Sequence, residues 1–257
     1  MCLLSFLKPG ITPDLDALAI GAEANPHGHG YAILTEETIL VGRGMDAATV
    51  LDEFARVRQA HPGGPALFHS RFATHGIRDI DNCHPFALGG DPRTVLAHNG
   101  MLPANVTPAA GDWRSDTRVA AEDFLPTMPF GSLDSWQGRE QLEKWLGGDK
   151  LIILTRDPAY KHPAYIFNER HGHWDAEGRW YSNHSYLTPR YYSYPPRHGD
   201  DDEGGYCGEC GYPIDHEGTH CSWCAFCWAC ELDYPSCECP APEGESRYAD
   251  LLDLETT

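Results

Sequence analysis

Eight of the ten cysteines lie between Cys207 and Cys239, and only Cys2 and Cys83 precede them. That clustering divides the chain. The first part must fold by burying apolar side chains, whereas the short second part must be held by local thiol chemistry. Charge divides at the same place: residues 198–257 carry 15 Asp and Glu against the single Arg247, which leaves residues 1–197 only −5 of the total −19. So acidic a flank, with no basic footprint elsewhere, argues against any grip on a phosphate backbone, and no nucleic-acid partner is expected. The chain is 41% apolar and 22% charged, an ordinary globular balance. Its first apolar run, Cys2 to Leu7, is too short for a signal peptide or a membrane span. With a mean hydropathy of −0.45, the expectation is a soluble, cytoplasmic protein with no membrane partner.

Short β-like runs alternate with amphipathic helices in the first part, an order that suggests stacked layers of sheet and helix. Met1 to Phe6 reads as a strand. Thr12 reads as the cap of a helix with Pro13 in its first turn and Leu15, Leu18 and Ala22 on one face. Two strands, Tyr31 to Thr35 and Thr38 to Val41, are joined by a tight turn. Asp46 caps a helix marked by Val50, Leu51, Phe54 and Val57. Further strands are expected at 66–68, 95–97, 151–154 and 165–167, and helices near 116–124 and 133–146. The Gly-rich and Pro-rich stretches 89–92 and 103–111 read as loops. The expected organisation is a large domain over 2–194, an acidic hinge over 195–206, a cysteine-rich module over 207–240 and an acidic tail over 241–257.

Cys2 follows the initiator methionine and is small enough for routine methionine removal. The mature chain then begins with a thiol and an α-amine on one residue. An α-amine titrates near ~7.7 to 8.0, so at neutral pH a useful fraction is free base able to take the thiol proton. Alone, a cysteine in second position reads as part of a buried first strand.

Four later stretches bear on that thiol: His69-Ser70-Arg71-Phe72-Ala73-Thr74-His75-Gly76, Asn82-Cys83-His84-Pro85-Phe86, Leu96-Ala97-His98-Asn99-Gly100 and Ser115-Asp116-Thr117-Arg118. With Cys2, and over roughly residues 2–185, they resemble the class II glutamine amidotransferases, whose N-terminal-nucleophile domain releases ammonia from glutamine. The resemblance implies an α+β fold of the N-terminal-nucleophile hydrolase type, a four-layer αββα sandwich. It also implies roles. Cys2 is the nucleophile, and Asn99 with the Gly100 N–H forms the oxyanion site. Arg71 takes the α-carboxylate of L-glutamine, Asp116 its α-ammonium, and Thr74, His75 and Gly76 line the pocket. These assignments suit the chemistry of the residues, since an arginine fork matches a carboxylate and a carboxylate matches an ammonium. The text departs from the family at His27, where an acid is frequent, at Phe72, where tryptophan is common, and at Leu3, where glycine is frequent. Those departures bear on substrate preference before they bear on reaction type.

Cys207-x2-Cys210 and Cys221-x2-Cys224, ten residues apart, have the spacing of a compact zinc ribbon or knuckle. Cys227-x2-Cys230 with Cys237-x-Cys239 completes a second set, so one or two structural zinc ions are expected; His216 and His220 are possible substitutes. Disulfides and an iron-sulfur cluster are the weaker readings of the same spacing. The chain has no room for a synthetase domain, so a separate ammonia-accepting synthetase or ligase is expected as partner. Two other functions fit the same text: an N-terminal-cysteine hydrolase of a different amide, and a catalytically silent zinc-containing binding module.

Overall fold

In the computed structural model, which describes residues 2–74 and 76–187, ten strands form two antiparallel sheets. The first sheet contains β1 (Leu3–Leu7), β2 (His29–Leu34), β3 (Ile39–Gly44), β4 (Ala66–Ser70), β9 (His173–Trp174) and β10 (Arg179–Tyr181), in the order β3-β2-β4-β1-β10-β9. The second contains β5 (Phe86–Leu88), β6 (Asp91–Asn99), β7 (Lys150–Thr155) and β8 (Ala164–Phe167) in sequential order. The chain's first strand is therefore an interior strand, flanked by β4 and β10.

Side-chain alternation sorts three apolar layers. Leu4 and Phe6 of β1 join Ala32, Leu67, Val95, Ala97, Ile152 and Leu154 in a core between the sheets. Leu3 and Leu7 point the other way, into a core covered by α1 (Leu15–Ala24) and α2 (Ala47–Ala60). Leu96, Leu151, Ile153, Tyr165 and Phe167 pack on the outer face of the second sheet with Ala120, Leu142 and Leu146, contributed by the helical stretch after Ser115 and by α4 (Trp136–Leu146). The architecture is α+β with layers αββα, as the resemblance implied.

Local chemistry explains the helix starts. Asp46 Oδ1 accepts from Thr49 N at 2.8 Å, the anticipated cap of α2. The cap of α1 is a correction. Asp14, not Thr12, accepts from Ala17 N at 3.0 Å, and Pro13 precedes the cap instead of occupying the first turn. Ser115 caps α3 (Asp116–Val119), which widens into a π turn over Ala120–Phe124. α4 begins at Trp136 behind the Ser135 cap, later than its apolar pattern alone implied. Gly89 and Gly90, both at positive φ, make a turn between β5 and β6, but Asp91 and Pro92 already belong to β6. The zinc cysteines, hinge and tail (195–257) lie outside the described residues.

Candidate active site

One end of the sandwich gathers the chemistry. Cys2 stands immediately before β1, and alternation along that strand places it with Leu4 and Phe6 on the face toward the second sheet. Its Sγ accepts from the Phe72 N–H at 3.3 Å, and its carbonyl accepts from Asn183 Nδ2 at 2.8 Å. Burial pushes the Cys2 thiol above its ordinary value. The Phe72 amide, the charge at the chain's N-terminus and the Arg71 guanidinium oppose the rise, and the Asp116 carboxylate adds to it. A thiol so placed rests protonated at neutral pH and needs a base to become a nucleophile.

A pocket opens beside it, lined by Cys2, Arg71, Phe72, Thr74, His84, His98, Gly100, Ser115, Asp116 and Thr117. Arg71 leaves the end of β4, is buried, and donates through Nη1 to the Ile77 carbonyl at 2.9 Å. Its backbone is tied to the 27–28 stretch in both directions, Arg71 N to Gly28 O at 2.8 Å and His27 N to Arg71 O at 2.9 Å. Asp116 lies at the first turn of α3. Its Oδ2 accepts from Leu102 N at 2.9 Å and its Oδ1 from Thr117 N at 2.7 Å. A carboxylate has about four lone-pair positions, so capacity remains for an ammonium. The free space measures about 10 Å³, room for about one water.

Gly100 directly follows β6 at φ 146°, and a Cβ there would come within 1.9 Å of the Asp149 carboxylate. Only glycine takes this position, and it carries the backbone N–H to the pocket wall. Asn99 does not line the pocket. Its side chain crosses to the first sheet, where Nδ2 donates to Ser182 Oγ at 2.7 Å. Thr74 is at the exposed rim. Gly76, at φ 75°, stands away from the lining, pressed against the backbone of Arg114 and Ser115. His75 lies outside the described residues. Cys83 does not line the pocket, since its Sγ faces Gly44 O at 3.8 Å and Met45 Sδ at 3.7 Å.

The sequence quoted Asn82 and His84 without giving them work, and passed over Ser182 and Asn183. Asn82 is a splice: Nδ2 donates to Ile77 O at 3.2 Å and Trp113 O at 2.8 Å, while Oδ1 accepts from Ser115 N at 2.8 Å. It ties the Arg71 loop to the start of the Asp116 helix. His84 is 4% exposed and both ring nitrogens lack a hydrogen-bond partner, although it lines the pocket. Burial first, and then His69, His98 and two arginines, hold it well below its ordinary value, so it is neutral. His27, the departure from the family text, has a defined task. Its Nδ1 accepts from Ala73 N at 2.9 Å and its ring lies 4.8 Å from that of Phe72, so it braces the pocket rim. No local pattern marks Ser182 or Asn183, because their partners Leu4, Asn99 and Cys2 are remote in sequence.

No family model matches the chain. It is similar to the glutamine–fructose-6-phosphate aminotransferase (isomerizing) of Methanosarcina mazei, with 26% identity over an alignment 139 positions long that covers 46% of this chain. The chain spans 22% of the length of that relative. A B. subtilis glutamine phosphoribosylpyrophosphate amidotransferase, solved with ADP and GMP, aligns at TM-score 0.47 and 16% identity, covering 72% of this chain and 42% of its own. A class-II glutamine aminotransferase domain protein from Silicibacter pomeroyi aligns at TM-score 0.32 and 15% identity, covering 70% of this chain and 87% of its own.

Proposed function

We propose that residues 2–194 hydrolyse the side-chain amide of L-glutamine through a thioester on Cys2 and pass the ammonia to a separate acceptor enzyme. The observation that carries this reading is the single pocket in which Cys2 meets Arg71, Thr74, Gly100 and Asp116, residues drawn from four separated stretches of chain. The sequence similarity to an enzyme whose name includes glutamine supports it.

The steps follow from the groups present. Removal of Met1 frees the Cys2 α-amine, which takes the thiol proton, directly or through a water, and supplies the base that the buried thiol requires. Arg71 and Asp116 fix the amino-acid end of glutamine, so its amide carbon reaches Sγ. The S–C bond forms as the carbonyl oxygen becomes an oxyanion, held by the Gly100 N–H; the resemblance assigns the Asn99 amide to the same oxyanion, although its Nδ2 donates to Ser182 Oγ in the structure. The C–N bond then breaks, and the α-amine delivers its proton to the leaving ammonia. Water, deprotonated by the same amine, attacks the thioester and releases glutamate and the thiol.

The test is intact mass before and after incubation with 6-diazo-5-oxo-norleucine, with Cys2→Ala as control. Loss of Met1 and one adduct that maps to Cys2 is the expected result. A processed chain that takes no adduct moves the function to a different amide or to a silent module. For the cysteine-rich module over 207–240 the reading is one or two zinc ions on Cys207, Cys210, Cys221, Cys224, Cys227, Cys230, Cys237 and Cys239. Metal analysis of protein purified without added zinc is expected to give one to two equivalents, and a metal-free protein removes zinc from the account.

A further inference from the structure

Asp149 lies outside every motif in the sequence, yet it anchors a chain of side chains that ends at the pocket. Its backbone is held from both sides: its N–H donates to the Leu146 carbonyl at the end of α4 at 3.1 Å, and its carbonyl accepts from Asn168 Nδ2 at 2.7 Å. Its Oδ2 lies 3.2 Å from Nε2 of His98, whose side chain is 1% exposed against 22% for Asp149. Nδ1 of the same ring lies 3.1 Å from Thr117 Oγ1. That hydroxyl donates to Asp116 Oδ1 at 3.4 Å. His98, Thr117 and Asp116 line the pocket, and Asp149 stands behind them.

A carboxylate only accepts, so Asp149 draws an Nε2–H toward itself and fixes which way the ring faces, with Nδ1 toward the threonine. Two donors to Asp116 come with the backbone, Thr117 N on Oδ1 at 2.7 Å and Leu102 N on Oδ2 at 2.9 Å. The third, the Thr117 hydroxyl, depends on a side-chain rotation, and His98 holds it. Buried polar groups linked in this way act as a unit, so loosening one end loosens the other. Asp149 also presses on Gly100, where a Cβ would fall 1.9 Å from its carboxyl carbon. It therefore has two routes into the site, and they differ in kind. Through His98 it reaches the carboxylate for the α-ammonium, and through Gly100 it reaches the oxyanion donor.

We propose that Asp149 is a positioning residue for the amino-acid end of the substrate: through His98 and the Thr117 hydroxyl it sets the Asp116 carboxylate that meets the α-ammonium of glutamine. The proposal rests on the glutaminase reading above and adds a residue that acts through Asp116, not on the substrate.

The experiment compares Asp149→Ala with the wild type, in the full-length chain, on two amides: glutamine and 4-carbamoylbutanoate, which is glutamine without its α-amine. For glutamine kcat/KM is expected to fall roughly fivefold to fiftyfold, mostly through KM, within the ~10²-fold that a misplacement of about 1 Å can cost. For 4-carbamoylbutanoate it is expected to change by less than about twofold, because that amide has no ammonium to lose. The rate of Cys2 alkylation by iodoacetamide is expected to stay unchanged. In an Asp116→Asn background the Asp149 change is expected to add less than about twofold for glutamine. An equal loss on both amides overturns the proposal and assigns Asp149 to the Gly100 wall. Full additivity with Asp116→Asn, or unchanged glutamine kinetics, overturns it as well. Crystal structures of the wild type and Asp149→Ala read the arrangement without turnover. A turned Thr117 side chain with a displaced Asp116 carboxylate supports the proposal, and an unmoved pair overturns it. Processed wild-type protein that turns over no glutamine sinks the glutaminase reading alone, and the crystal comparison still decides whether Asp149 sets Asp116.

Discussion

The two ends of the sandwich are built from the same strands and obey opposite rules. Away from Cys2, Leu67, Ala32, Val95, Ile152 and Leu154 meet between the sheets with every side chain apolar, and the polar pair that closes β6 on β7, Thr94 and Thr155, is satisfied by its own 2.7 Å hydrogen bond. At the Cys2 end the same two sheets bury Arg71, His69, His84, His98 and Asn99. Among the described residues, His69 Nδ1, both nitrogens of His84 and Asn99 Oδ1 have no hydrogen-bond partner there. An unmet buried polar atom costs about 1–3 kcal/mol, so one end is shaped for stability and the other carries buried polar atoms that the fold itself leaves unmet. A functional site shows itself here as a local failure of the packing rules that the rest of the molecule obeys.

The largest expected effect sharpens the contrast. Cys2→Ala is expected to reduce glutamine hydrolysis by roughly 10⁴-fold or more while leaving the thermal midpoint almost unchanged, as read by ammonia release and calorimetry. A residual rate near that of the wild type would place the nucleophile elsewhere. At the other end Leu67→Ala is expected to cost about 2–5 kcal/mol in denaturant unfolding, with kcat per folded molecule unchanged. If it lowered kcat instead, the two ends would be coupled and the comparison would break.

Arg71→Lys exchanges a planar fork for a point charge. It is expected to raise KM for glutamine by about tenfold or more, with Cys2 still alkylated at its wild-type rate; unchanged glutamine kinetics removes Arg71 from the site.

Acid acts on the Cys2 end, as it also acts on His173 of β9, which burial holds down to about 4. Burial holds His69 down to about 3, and His84 well below its ordinary value, so both are neutral in the fold and take up protons on unfolding. The stability they contribute is present above about pH 6.5, the unfolded histidine value, and is lost as pH falls toward 3. The expected slope is about 1.4 kcal/mol per pH unit for each such histidine, checked by urea midpoints between pH 7 and 4. His69→Leu is expected to flatten that slope, and an unchanged slope would assign the acid sensitivity to other groups. The smallest effect is expected at His84→Phe. Replacing an imidazole with two unmet nitrogens by an apolar ring of similar size is expected to leave stability within about 1 kcal/mol or raise it slightly, while glutamine turnover falls. A clear loss of stability would mean that His84 belongs to the packed frame.

Much of the frame was legible because its signals are local. The alternation at Leu3 to Leu7 and the Asp46 cap with its Val50–Phe54 stripe need only neighbours within a turn or a strand. At the start of α1 the sequence pointed to Thr12 where Asp14 caps, since the choice depends on where the chain turns after β1. β9 and β10 went unread because strands of two and three residues have no period to detect; β10 forms by pairing with β1, and β9 by pairing with β10. The candidate site divided in the same way. Cys2, Arg71, Asn99, Gly100 and Asp116 announced themselves by ordered motifs, and the pocket unites four of them with Asn99 behind the wall.

By itself the sequence supplied the reagent list and the alternation of sheet and helix: a thiol beside the chain start, an arginine, an aspartate and an Asn-Gly pair in ordered motifs; the order of the layers came through the family resemblance. Chemistry type and period are properties of neighbouring residues, and these can be read along a line. The tertiary structure alone decided that β1 is an interior strand, that Asn82 ties two loops, that His27 braces the rim, and that Ser182 and Asn183 hold Asn99 and Cys2. The long-range contacts among these join residues 31 to 181 positions apart: pairing within the first sheet brings His27 to Ala73 and Asn183 to Cys2, and the packing of the two sheets face to face brings Asn99 to Ser182.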